Sequence, residues 1–218
     1  MAITDEDKQV LDPPSIAAEL LTDWRLLAGR LCARFATGSF AAGLTMVNQV
    51  AEEAEKANHH PDLDLRYPHV DVTLVSHDVG GITQRDIRLA RVISEIADRL
   101  GATPQPGSLQ IVSIALDTPD PDAISPFWQA VLGTSPDPSY DAFLADTDQA
   151  PGLYLQQTDD PHGFHVDIDV PDDVAEQRIR KALDNGGTVV NDGFAPAWTT
   201  LADADGNRVD FSTWLGRQ

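Results

Sequence analysis

The sequence predicts an α+β chain of two domains. An antiparallel sheet with helices on one face comes first, and a paired βαβββ unit follows. Three observations predict this. Residues 15–102 carry a hairpin pattern, a long amphipathic helix, an alternating strand and a second amphipathic helix. Thr103-Pro-Gln-Pro-Gly107 then holds two prolines, one glycine and no apolar residue, which reads as a linker. From residue 108 to 218 a strand–helix–strand pattern of about fifty residues occurs twice, the mark of an internal repeat.

The elements follow in order. Residues 1–14 are polar, end in Asp12-Pro13-Pro14 and read as a flexible arm. Ser15 can N-cap a short helix through Leu21. Asp23 to Phe35 alternates loosely around Gly29, which suits two strands joined by a tight turn. Ser39 starts a helix whose apolar face comprises Phe40, Leu44, Val47, Val50, Ala51 and Ala54. It stops near Asn58, because Pro61 disfavours helix at the residue before it. Val70, Val72 and Leu74 alternate with Asp71, Thr73 and Val75 in a strand that leads to His77. Gly80-Gly81 turns the chain. Thr83 caps the next helix, with apolar positions Ile87, Ala90, Ile93, Ile96 and Leu100.

In the second half, Ser113-Ile-Ala-Leu-Asp-Thr-Pro-Asp120 matches His165-Val-Asp-Ile-Asp-Val-Pro-Asp172 in pattern. Each strand is followed by a helix, ending near Gly133 and Gly186-Gly187. Further strands are expected at Ala142–Ala145 and Leu153–Gln157, then at Thr188–Val190, Trp198–Ala202 and Arg208–Thr213. Trp128, Trp198 and Trp214 either fill a core or line a cup.

Bulk properties narrow the function. The 218 residues carry 35 acidic and 15 basic side chains, a formal charge of −20. That opposes binding to nucleic acid or an anionic membrane. No apolar run approaches a membrane span, and the acidic N-terminus lacks the apolar core of a secretory signal. Cys32 is the single cysteine, so no intrachain disulfide forms. A cytoplasmic setting is expected.

The chemistry concentrates between Glu55 and Asp86. Three of the six histidines, His59, His60 and His77, fall there. Histidine has the unperturbed pKa nearest neutrality and is the usual proton-transfer group. Glu55 and His59 are four apart and share a face if the helix persists. His59 and His60 close a helix, where the macrodipole favours imidazolium. Asp86 lies three residues after Thr83 and can complete a capping box.

The spacing Glu55-x3-His59-His60-Pro61-x5-Tyr67-x9-His77-x8-Asp86, with Trp24 upstream, resembles the pterin-4a-carbinolamine dehydratases. The likeness covers residues 15–100. It implies that a 4a-hydroxytetrahydropterin loses water to give a quinonoid dihydropterin, which recycles the cofactor of aromatic amino-acid hydroxylases. It implies His59, His60 and His77 as catalytic, with Glu55, Pro61, Tyr67 and Asp86 supporting or binding substrate. Which histidine is the acid stays open. Glu55 is either a solvated helix residue or a partner of His59, and Asp86 either caps or joins the chemistry. No cofactor is required, since the pterin is the substrate. The small-molecule pterin is the implied partner, and relatives of this fold imply a homo-oligomer. A second reading is a dimerising regulatory or small-molecule-binding protein whose main activity lies in its second half.

That half, with Asp205-Gly-Asn-Arg-Val-Asp-Phe211 near its end, resembles the vicinal-oxygen-chelate superfamily of glyoxalase-like and bleomycin-resistance-like domains. The superfamily hosts many chemistries. Its metal-binding members draw ligands from equivalent strands of both modules. His165 and Asp210 match two such positions, Ser113 stands at a third, and the fourth falls near Gln156. His162 sits in an Asp-Asp-Pro-His-Gly loop. Two plausible ligands fall short of the three that a catalytic ion usually takes. No metal is therefore expected, and His165 is expected to pack against Asp210.

Overall fold

The computed structural model describes residues 6–132, 143–147, 150–159 and 163–217. The chain divides into two compact units, Met1–Leu109 and Gln110–Gln218. The mixed helix and sheet architecture is the one the sequence predicts.

The first unit is a sheet with two long helices on one face. Strands β1 (Arg25–Leu27) and β2 (Arg30–Ala36) form the hairpin, turned by Ala28 and Gly29, both at positive φ. Two consecutive left-handed residues match the right-handed strand twist, and Gly29 supplies one without a Cβ penalty. Strand β4 (His69–Leu74) pairs antiparallel with β2 on one side and with β3 (Asp62–Arg66) on the other. Period-two alternation then divides the faces. Leu31, Ala33, Phe35, Val70, Val72 and Leu74 are buried beneath helices α2 (Phe40–Ala57) and α3 (Gln84–Leu100). On the opposite face Arg34 donates two hydrogen bonds to Asp71, each 2.6 Å. Trp24 packs edge-on against Phe35, and its indole N–H donates to Ser94 Oγ at 3.1 Å.

Four expectations need correction. Residues 6–14 are tied down, not loose. Asp12 accepts the Ser15 amide at 2.9 Å and caps helix α1 (Pro13–Ala18), so the cap is Asp12 and not Ser15. Pro13 and Pro14 occupy first-turn positions, where a missing N–H costs nothing. Leu11 N–H donates to Ile82 O at 2.8 Å, and Arg88 pairs with Asp7. Second, Thr103–Pro104 is no free linker but strand β5, paired with Phe35 and Ala36 of β2. A proline is tolerated on such a short edge strand.

Third, the buried stripe of α2 is Gly43, Met46, Val50 and Ala54, whereas Phe40 and Leu44 are about half exposed. Gly43 sets this rotation, since a Cβ there would lie 2.5 Å from Leu65. Fourth, Leu100 lies at the exposed end of α3 and not in the core.

The second unit is one sheet of strand order β10-β11-β12-β9-β6-β8-β7. The first module supplies β6 (Ile111–Thr118), α4 (Pro121–Leu132), β7 (Phe143–Thr147) and β8 (Ala150–Gln157). The second supplies β9 (Phe164–Asp169), α5 (Asp172–Asp184), β10 (Thr188–Asn191), β11 (Trp198–Ala202) and β12 (Arg208–Ser212). The modules join edge to edge through antiparallel β6 and β9, centred on Ile114 opposite Val166. Those residues are equivalent in the repeat, so the join is a local two-fold. All three tryptophans are half-buried: Trp128 meets Phe164 edge-on, and Trp198 stacks on Phe194 at 4.2 Å.

Candidate active site

In the first unit the site forms where α2 ends, β4 ends and α3 begins. Helix α2 terminates at Asn58, which is left-handed at φ 50°, and His59 N–H returns to Ala54 O at 3.1 Å. This cap turns the chain off the helix axis before the histidine pair. Glu55 and His59 therefore do not share a helix face. Glu55 instead lies 3.2 Å from His60 Nε2, and both side chains are well exposed.

His59 turns inward. It is buried, and its Nε2 lies 2.7 Å from Asp86 Oδ1. Asp86 is fully buried at the first turn of α3. Its other oxygen, Oδ2, accepts from Ser76 Oγ at 2.6 Å and from the Thr83 amide at 2.8 Å. Thr83 Oγ1 also accepts the Arg85 amide at 3.1 Å, and Thr83 and Asp86, each side chain accepting the other's backbone N–H, form a capping box. Burial pushes the Asp86 carboxyl up. The hydrogen bonds from His59, Ser76 and the Thr83 backbone, with the His59 charge, outweigh it and hold the group below the usual carboxylate range.

Asp86 thus joins three segments: the end of α2, the cap of α3, and the turn after β4. That turn runs from Ser76 to Gly81, closed by Ser76 N–H to Gly81 O at 3.0 Å, and carries His77 exposed. Arg85 reaches back to Asp78 in the same turn at 2.6 Å. Val10 covers Gly81, where a Cβ would lie 2.6 Å from it, so the N-terminal segment packs on this turn. Pro61 is half-buried, and Tyr67 is 72% exposed on the β3–β4 loop. Ser76 and Arg85 were missed in the sequence. Ser76 acts through a fold contact with no local pattern, while the Asp78–Arg85 pair spans the glycine turn.

The arrangement has one buried, fixed imidazole and two exposed ones. Exposed imidazoles can exchange protons with a bound molecule, while a buried carboxylate–imidazole pair holds the loop in place.

In the second unit, His165 is buried on β9. Its Nδ1 lies 3.3 Å from Asp117 Oδ1, and its Nε2 lies 3.7 Å from Asp167 and 4.0 Å from Asp210. Asp210 is therefore the most distant of three carboxylates, which corrects the simple His165–Asp210 pairing. Register also places Tyr154, not Gln156, at the first-module position equivalent to Asp210. Tyr154 pairs with Ala115 as Asp210 pairs with Asp167, and Ala115 and Asp167 are repeat equivalents. Burial, then the Asp210 charge, push the Asp167 carboxyl up to about 7. His162 lies outside the described residues.

Among the described residues no helix is long and apolar enough to cross a membrane. The family model "Pterin 4 alpha carbinolamine dehydratase" matches residues 9–96, and "Glyoxalase-like domain" matches residues 113–212. A protein of Thermosynechococcus vestitus is 45% identical over 89 residues, which are 40% of this chain and 94% of that one. One of Nocardia farcinica is 43% identical over 91 residues, 41% of this chain and 96% of the relative. Both carry the name "Putative pterin-4-alpha-carbinolamine dehydratase". A crystal structure from Brucella melitensis, titled transcriptional coactivator/pterin dehydratase, is 30% identical with a TM-score of 0.39, covering 41% of this chain and 99% of that one. The chain belongs, through its first unit, to the pterin-4a-carbinolamine dehydratase family, with a glyoxalase-like domain fused after it.

Proposed function

We propose that the first unit dehydrates a 4a-hydroxytetrahydropterin to the quinonoid dihydropterin. The C4a–O bond breaks and its electron pair leaves with the oxygen, which takes a proton and departs as water. A ring nitrogen gives up a proton as the new double bond forms. The products balance without an external oxidant or reductant.

The observation that carries this reading is the Asp86 carboxylate, shared between His59 and the Ser76 hydroxyl. It ties the loop bearing His60 to the turn bearing His77. Two imidazoles on separate segments can then serve as acid and base without folding onto each other. His59 acts as a positioning residue, since its Nε2 is committed to Asp86. His60 and His77 are the proton-transfer candidates, being exposed. Glu55 lies 3.2 Å from His60 Nε2 and can orient that ring. Pro61 borders the loop and suits contact with the pterin, whereas Tyr67 lies beyond the far end of β3, on the β3–β4 loop.

The test is stopped-flow dehydration of enzymatically generated 4a-hydroxytetrahydropterin, read above the uncatalysed background. The wild type is expected to accelerate the step. His60→Ala and His77→Ala are each expected to lower kcat/KM by on the order of 10²-fold, the span of one general acid or base. A wild-type rate in both variants would overturn the reading.

A further inference from the structure

The dehydration chemistry leaves one polar cluster unused. In the second unit the buried atoms His165 Nε2, Asp167 Oδ1 and Asp210 Oδ1 have no hydrogen-bond partner. His165 is 8% exposed. A buried polar atom without a partner is costly, and side-by-side carboxylates are costlier still. Asp167 and Asp210 are direct neighbours across the β9–β12 pair. One donor atom from each of the three residues lies within 4.8 Å of the others.

The domain type implies a metal held by both modules, and this chain departs from that plan. Ser113 and Tyr154 stand at the first-module positions. Alternation supplies a substitute, because Asp167 is two residues from His165 on β9 and faces the same way. The donor set then lies wholly on β9 and β12. Asp117, from β6, lies 3.3 Å from the other ring nitrogen of His165. The approach is not a hydrogen bond, but a small rotation of either side chain would give the N–H···carboxylate contact that commonly supports a metal-bound histidine and would turn the Nε2 lone pair toward Asp167 and Asp210.

We propose that the second unit binds one divalent transition-metal ion through His165 Nε2, Asp167 and Asp210, with Asp117 as the positioning residue. A dication balances the two carboxylates. The mixed imidazole and carboxylate set suits Mn²⁺, Fe²⁺ or Zn²⁺ better than the all-oxygen preference of Mg²⁺ or Ca²⁺. Bonds of about 2.0–2.2 Å require the donors to close in by side-chain rotation. Three protein ligands leave coordination positions open for a further oxygen ligand.

The full chain, stripped with chelator, is titrated with MnCl₂ while the aqueous Mn²⁺ electron paramagnetic resonance signal is followed. One Mn²⁺ per chain is expected, with spin-echo modulation showing one imidazole nitrogen. His165→Ala is expected to abolish that modulation, and Asp167→Asn to weaken binding at least tenfold. Asp117→Asn is expected to weaken binding roughly 10–100-fold, with a reduced nitrogen coupling that a purely structural role would not produce. Asp167→Asn removes a repulsion, so its unchanged circular dichroism separates lost binding from lost folding. No saturable binding by the wild type would overturn the proposal. So would stoichiometric binding that survives both His165→Ala and Asp167→Asn, because the ion would then sit elsewhere.

Discussion

Asp86→Asn tests the centre of the first unit. Asparagine is nearly isosteric but has one acceptor oxygen where aspartate has two. In the native site Oδ1 faces His59, while Oδ2 takes Ser76 and the Thr83 amide. An asparagine that keeps the Oδ2 contacts turns an amide N–H₂ toward His59 and loses the charge-assisted bond. A hydrogen bond to a charged group contributes about 1.5–3 kcal/mol, and a weakened cap adds up to about 1, so the expected loss is about 2–4 kcal/mol. A cap alone would account for only the smaller part. Two units in one chain make a global unfolding curve ambiguous, so the assay is hydrogen exchange of α3 amides in the intact protein. Globally protected amides between Ile87 and Ile93 should exchange roughly 30- to 700-fold faster.

The pH dependence provides a second check. The Asp86 pKa is lowered in the folded state, so its contribution is present above the unfolded carboxylate pKa and is lost as pH falls through the folded value. The wild type should therefore lose α3 protection on acidification, and Asp86→Asn should lack that part of the slope. A loss below about 1 kcal/mol, with the wild-type acid slope intact, would refute the buried-carboxylate argument and leave only a cap.

Further outcomes are expected. His59→Ala should lower turnover at least as much as His60→Ala, and in combination with Asp86→Asn the stability losses should be less than additive, as a double-mutant cycle on α3 exchange would register. His69→Ala should leave the dehydration rate near the wild-type value, because His69 faces Asp71 on β4, away from the histidine loop. Gly81→Leu should push Val10 off the turn and slow dehydration without unfolding the sheet, read by kinetics beside circular dichroism. Light scattering should give a homo-oligomer at micromolar concentration, and Leu44→Asp on the exposed stripe of α2 should shift it toward monomer; a monomeric wild type would contradict this.

Much of the fold was legible because it is local. The hairpin was marked by Gly29, the helix starts by Ser39 and Thr83, and the core strand by Val70, Val72 and Leu74 at period two. The misreadings have local causes as well. Asp12-Pro-Pro looked like a loose end, yet an Asp before prolines is also a helix N-cap. Thr103–Pro104 had a linker's composition, and only its pairing with β2 makes it a strand. In the site, the spacing from Thr83 to Asp86 announced the cap. Another partner of that carboxylate, Ser76, depends on how the turn folds back over α3, and no spacing encodes it. Asp167 was within reach, since it follows from His165 by strand alternation, but a reading confined to repeat-equivalent positions passes over it.

The two clusters share components and differ in satisfaction, and the difference assigns their roles. Each has a buried histidine with a buried aspartate beside it. In the first unit every oxygen of Asp86 has a donor, supplied by His59, Ser76 and Thr83. Such a carboxylate is already engaged and acts as a joint, which leaves the exposed imidazoles around it as the groups proposed for proton transfer. In the second unit Asp167 and Asp210 face each other and a histidine nitrogen with no donor between them. A folded chain tolerates that arrangement only when something else relieves it. Proton uptake by Asp167, whose pKa is pushed up to about 7, relieves it in part. The proposed dication would relieve it fully, since it would meet both carboxylates and the histidine nitrogen at once.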